Sequence, residues 1–262
     1  MKQKLLMWVY KLLAKFHKRQ FTIGYGLGAL KDLEDKRDYA VGVVGIEVPE
    51  EIDMREFVPE VKSQGSLQSC VSHAICSSIE MQINMQDPRR YVPLSELYNY
   101  YYGRIESNLL PLTNSGMYPR DAIKSVKKDG IALEVAHPYN VQNYNKEPSS
   151  AAKSVAHVYS AMTKEYFRVF SDINMKEKLA LGLPVIISVP VYGYWHSVDR
   201  GIVRKPIPDD KPEGSHMLLV VGYNQYGWIC LNSWNKTNWG DKGFCYLPYG
   251  YEIVDRWVLV VE

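Results

Sequence analysis

Apolar residues recur at helical spacing in the first half of this chain and gather into short unbroken runs in the second. The clearest helical signal is Val71, Ala74, Ile75, Ser78 and Ile79, directly after the polar loop Gln64-Gly65-Ser66-Leu67-Gln68-Ser69-Cys70. Ser69 is a good N-cap type, so the pattern puts Cys70 in the first turn of a helix. Ser95 is expected to cap a tyrosine-rich helix ended by Gly103, and Pro119 to open one with Ile123 and Val126 inward and Gly130 as its stop. A short helix capped by Asp172 and ended by Gly182 follows, and then strand-like runs at 185–189, 217–223, 228–231, 243–247 and 257–261. Helices first and strands later predict an α+β protein of two lobes. The helical lobe spans 48–149, the β-rich lobe spans 150–262, and the site lies in the cleft between them.

Before residue 48 the pattern differs. Leu5, Trp8, Val9, Leu12, Leu13 and Phe16 share one helical face and Lys4, Lys11, Lys15 and Lys18 the other, which makes residues 1–20 a basic amphipathic helix. Lys11 interrupts the apolar run and no small-residue cleavage site follows, so a signal peptide or a spanning helix fits poorly. A helix docked on the body, on a partner or on a membrane surface fits better. Residues 21–47 are rich first in glycine and then in charge, as expected of an extended linker or wrap.

Charge narrows the range of partners. The whole chain has a net charge of +2, but residues 1–20 hold six of the basic side chains and no acid, leaving 25 basic against 29 acidic beyond them. A slightly acidic body argues against nucleic acid as a partner. The four cysteines show no metal-ligand or disulfide-scaffold spacing, so neither a metal nor a cofactor is implied. Reduced thiols in a cytoplasmic, reducing compartment are expected, with residues 1–20 able to bring the protein to a membrane periphery.

Cys70 carries the chemistry. On its own, a single cysteine in an apolar helix is more often a small buried hydrophobe. In the first turn of a helix, however, unpaired N–H groups favour the thiolate, the form that attacks carbonyl carbon. A thiolate needs a base and a group that orients the base. His216 enters the strand run 217–223, 146 positions after Cys70, and Asn232 follows the next run, where its amide oxygen can accept from an imidazole. Asn is disfavoured in strands, so its presence there calls for a local hydrogen bond. His73 and His196 are weaker candidates, the first pointing round the helix from Cys70 and the second in a loop.

From about Val48 onward the chain resembles the papain-like cysteine peptidases, with features of their prokaryotic or viral members. The resemblance rests on Val48-Pro49-Glu50-Glu51-Ile52-Asp53, on Gln64-Gly65 with Ser69-Cys70, on Ser215-His216, and on Asn232-Ser233-Trp234 with Trp239-Gly240. It implies a papain-like fold, with a helical N-terminal lobe and an antiparallel β-barrel-like C-terminal lobe, and hydrolysis of peptide or isopeptide bonds through a thioester acyl-enzyme. Cys70 would be the nucleophile, His216 the base and then the acid, and Asn232 its orienter. Gln64 and the Cys70 N–H would be the oxyanion donors. Substrate contacts would come from Gln68, Ser69, Gly116, Met117, Ser215 and Trp234, with Trp234 also shielding the Asn232–His216 bond from water. The sequence departs from the family in having Gln68 for a glycine, Val71 for a tryptophan and Leu67 for a half-cystine. A papain fold retained as a silent binding scaffold is the alternative; Cys70, His216, Asn232 and Gln64 together weigh against it.

Overall fold

The structure is a computed structural model and describes residues 26–35, 38, 45–110, 112–160, 163–235, 237 and 239–262. Its central element is α1, Cys70–Gln86, buried on every side from Cys70 to Ile83. Around it stand α2 (Glu96–Glu106), α3 (Pro119–Asp129), α4 (Ser150–Ser160) and α5 (Asp172–Ala180). Ser95 caps α2 by accepting from the Tyr98 N–H, as its sequence suggests. Gly103 does not end that helix: the chain stays helical to Glu106, and the glycine serves close packing, since a Cβ there would meet Met117 Sδ at 2.6 Å. Pro119 and Gly130 bound α3 as expected. The cap of α5 is Ser171, whose hydroxyl accepts from the Asn174 N–H, and Asp172 is the first helical residue.

The strands are β1 (Ile52–Asp53), β2 (Thr163–Arg168), β3 (Val185–Tyr192), β4 (Pro212–Asn224), β5 (Gly227–Leu231), β6 (Phe244–Pro248) and β7 (Asp255–Val261). They form one antiparallel sheet in the order β2-β7-β3-β4-β5-β6, with β1 paired to β4. The sheet is open, with β2 and β6 at its edges, where the sequence suggested a barrel-like closure. The two parts make the papain-like α+β fold, and α1 packs against β4 where they meet. Two features lock this junction. The loop before α1 joins the stretch after β5 through a bridge between Ser63 and Trp234 and the bond from Gln64 N–H to Ser233 O at 2.9 Å. Lys62, fully buried, sits between Glu80 of α1, at 2.5 Å, and Glu96 of α2.

Residues 26–35 lie on this body as an extended strap. Asp32 anchors it: the buried carboxylate accepts from the Arg120 N–H at 3.1 Å and from Trp257 Nε1 at 2.9 Å, while the Asp32 N–H donates to Asp255 Oδ2 at 3.2 Å. The amphipathic helix expected over residues 1–20 lies outside the described residues, as do 21–25, 36–37 and 39–44 of the expected linker.

Candidate active site

Cys70 is the first residue of α1, and its thiol is wholly buried. Burial pushes the thiol up to about 11, and the N–H groups of Met217, Gly28, Val71 and Cys70 itself pull the other way. His216 lies on β4, opposite Val189 of β3, and is also wholly buried. Its Nε2 is 2.7 Å from Asn232 Oδ1, which also accepts the Ser233 N–H at 2.7 Å. An amide oxygen only accepts, so Nε2 carries the hydrogen and Nδ1, which has no hydrogen-bond partner among the described residues, is the basic nitrogen. Burial lowers His216 to about 4; the Asn232 bond works against this and the charge of His73 adds to it.

Those two shifts run against the thiolate that a helix N-terminus favours: burial favours the neutral form of both groups. Desolvation disfavours both charges, and here it exceeds the contribution of the helix end.

The source of that burial is the chain itself. Leu30 N–H donates to Met117 O at 3.1 Å, Met117 N–H to Gly28 O at 3.0 Å, and Ala29 N–H to Ser215 O at 3.2 Å. Ala29 thereby pairs in parallel with Met117. A Cβ on Gly26 would stand 2.1 Å from Leu67 O, one on Gly28 2.0 Å from Gln68 O, and one on Gly116 2.4 Å from Gly28 O. Only a strand bare of side chains at 26 and 28 fits there. The strap thus occupies backbone groups of Met117 and Ser215 and packs on Gly116 and Gln68, four of the residues expected to hold substrate.

The remaining site residues divide. Gln64 Nε2 donates to Gly26 O at 2.8 Å and to Leu67 O at 2.7 Å, and its Oε1 accepts from Ser233 Oγ at 2.6 Å. The expected oxyanion donor therefore holds a carbonyl of the strap. Gln68 is fixed by its own N–H to Asn114 Oδ1 at 2.9 Å. Ser69 is buried, with its hydroxyl 2.7 Å from Tyr139 Oη, so its side chain turns away from the cleft where substrate contact was expected. Trp234 lies over the imidazole, ring centroids 4.6 Å apart and planes at 37°, and Trp239 and Trp195 pack edge-on against Trp234 in turn. His73 Nδ1 bonds Ser69 O at 3.0 Å, and His196 pairs with Glu213 at the rim at 2.7 Å. Sequence reading missed Gly26, Gly28, Ala29, Ser233 and Tyr139 as parts of the site. The alternation Gly24-Tyr25-Gly26-Leu27-Gly28 was the available signal for the strap.

A cysteine at a helix start and an imidazole bonded to an amide on the facing strands are the arrangement of a papain-like architecture. Residues 48–255 match the family described as papain family cysteine protease, and the chain belongs to that family. Cysteine proteinase 3 of Entamoeba histolytica is 24% identical over 207 residues, 75% of this chain and 61% of that protein. Pro-cathepsin H of Bos taurus is 26% identical over 213 residues, 77% of this chain and 60% of that protein. The chain thus spans about three fifths of the length of these curated relatives. Xylellain, a cysteine protease from Xylella fastidiosa, superposes with a TM-score of 0.79 at 28% identity, covering 94% of this chain and 99% of that one.

Proposed function

We propose that this protein is a cysteine peptidase that cleaves peptide or isopeptide bonds through a thioester on Cys70, and that the described state is a latent one. Family membership supports the chemistry. Nδ1 of His216 takes the thiol proton, the sulfur attacks the carbonyl carbon, and the proton then passes to the leaving amine. Water, with His216 again as base, hydrolyses the thioester. Gln64 Nε2 and the Cys70 N–H receive the oxyanion. Substrate backbone pairs with Met117 and Ser215. Four free, buried thiols support a reducing compartment, and the basic face of residues 1–20 supports a peripheral membrane contact.

The single observation that carries latency is the strap. Gly26 O on Gln64 Nε2, Gly28 against the sulfur, and Ala29 paired with Met117 fill the positions a substrate needs. A valine at 28 has no room against Gln68 O, so Gly28→Val must expel the strap. Turnover of a peptide library is expected to rise in that variant, together with the rate at which iodoacetamide labels Cys70. Unchanged turnover and unchanged labelling would show that the strap does not close the site.

A further inference from the structure

The papain-like pattern has glycine where this chain has Gln68, and the added side chain turns to Asn114. Gln68 Nε2 donates to Asn114 O at 3.0 Å, beside the bond from the Gln68 N–H to Asn114 Oδ1 at 2.9 Å. An N–H only donates, so Oδ1 faces Gln68 and the amide nitrogen of Asn114 faces Ser66, whose carbonyl accepts from Nδ2 at 3.2 Å. One asparagine therefore bonds the loop at Ser66 and at Gln68, both of which lie between Gln64 and Cys70.

Asn114 is held from its other side by α2. Tyr100 and Arg104 are both wholly buried; the Tyr100 hydroxyl donates to Ser115 O at 2.7 Å and lies 3.0 Å from Asn114 Oδ1, and Arg104 Nη1 donates to Thr113 O. Residues 113–115 are thus tied to α2 by bonds to their carbonyls, and they lead directly into Gly116 and Met117. The strap shows what depends on the gap between these two walls. It bonds the loop through Gln64 Nε2 to Gly26 O at 2.8 Å and Gly26 N–H to Gly65 O at 3.3 Å, and the facing segment through Met117 N–H to Gly28 O at 3.0 Å. A chain lying in the cleft engages both walls at once.

We propose that Asn114, with Gln68, is a positioning residue: it fixes the distance between the loop that carries Gln64 and Cys70 and the segment that pairs with substrate backbone. This rests on the peptidase reading. Substrate held on Met117 has to present its carbonyl to the sulfur, and a misplacement of about 1 Å costs up to about 10²-fold in rate. The Met117 backbone groups stay in place without the Asn114 side chain, because Tyr100 and Arg104 hold the preceding residues. Loss of the link therefore falls on kcat rather than on KM.

Kinetics are read in the full chain carrying Gly28→Val, which expels the strap. There Asn114→Ala, which removes the bonds to Ser66 O and to the Gln68 N–H, is expected to lower kcat per titrated active site about tenfold, with KM within about twofold. Gln68→Ala cuts only the side-chain bond to Asn114 O and should show the same split at about twofold to threefold. With Gly28 intact, Asn114→Ala is expected to speed iodoacetamide labelling of Cys70 several-fold, because the strap no longer fits both walls. A merely structural role would lower Tm and leave kcat per active site unmoved. Unchanged kcat per active site in both variants, or a loss carried by KM, overturns the proposal. If Gly28→Val turns over no more peptide than Gly28→Val with Cys70→Ala, the peptidase reading fails instead. The labelling comparison with Gly28 intact then decides alone, and a rate equal to wild type overturns the role of Asn114.

Discussion

The Asn232 amide oxygen decides which nitrogen of His216 is free to act as a base. Accepting from Nε2 at 2.7 Å, it leaves Nδ1 for the cysteine. Loss of that bond frees the ring to choose the other tautomer or to rotate, but Trp234 still holds its plane. Asn232→Ala is therefore expected to lower kcat about tenfold, and His216→Ala, which removes proton transfer itself, by about 10²–10⁴-fold, with Tm little changed in either. Equal and small losses would show that His216 is not the base. Cys70, His216 and Asn232 were legible because each departs from what its element would otherwise choose: a thiol at a helix start, an imidazole and an amide next to apolar strands. Ser69 was misjudged for the opposite reason. Its residue type and position announce a cap, but its backbone, at φ −100° and ψ 19°, is not the extended one from which a serine caps, and its hydroxyl goes to Tyr139, 70 positions away. The burial that favours the neutral forms of Cys70 and His216 was equally invisible, because it depends on what covers the two residues.

Elements were legible where periodicity and punctuation agreed. Pro119 and Gly130 bound α3, whereas Gly103, read as a stop, lies within α2 because Met117 and Ala122 come too close for a side chain. Strand β2 escaped notice: Thr163–Arg168 carries three charged residues and a half-buried edge, and its pairing with β7 supplies what its sequence lacks. The same dependence on distant partners governs Lys62, whose ammonium joins the loop before α1 to Glu80 and Glu96 on two helices, with all three side chains at most 1% exposed. Even so, burial and the neighbouring Glu96 hold Glu80 up at about 7 against the pull of Lys62. Removing the cation leaves two carboxylates in contact with no water. Lys62→Met should destabilise by about 3–5 kcal/mol in urea unfolding. A loss below about 1 kcal/mol would mean that the carboxylates protonate at little cost and that the cluster does not join the helices.

Across the molecule, the strap meets the active site at residues 26–30 and, two residues on, is anchored to α3 and β7 at Asp32, so one buried carboxylate can govern access to the thiol. Burial, reinforced by the charge of Asp255, raises Asp32 to about 7, against the pull of Arg120 and the bonds from its N–H and from Trp257. Asp255 is itself raised, mainly by burial, with Arg168, Lys31 and Arg120 opposing. In a released strap Asp32 would titrate near the ordinary carboxylate value of about 3.9. The docked state therefore binds the proton more tightly. Its stabilisation is fully present below the ordinary value and is lost as pH rises through about 7. Closure is therefore tightest at acid pH and weakens toward neutral pH. The Ala29 and Leu30 amides, bonded to Ser215 and Met117, report docking directly. Their hydrogen-exchange protection, taken relative to the intrinsic rate at each pH, should fall between about pH 4.5 and 7, by up to about tenfold per pH unit, and level off above about pH 7.5. Asp32→Asn keeps the acceptor for Trp257 and removes the titration, so its protection should be nearly flat over the same range. Flat protection in the wild type, or the same slope in both proteins, would mean that Asp32 anchors the strap without gating it.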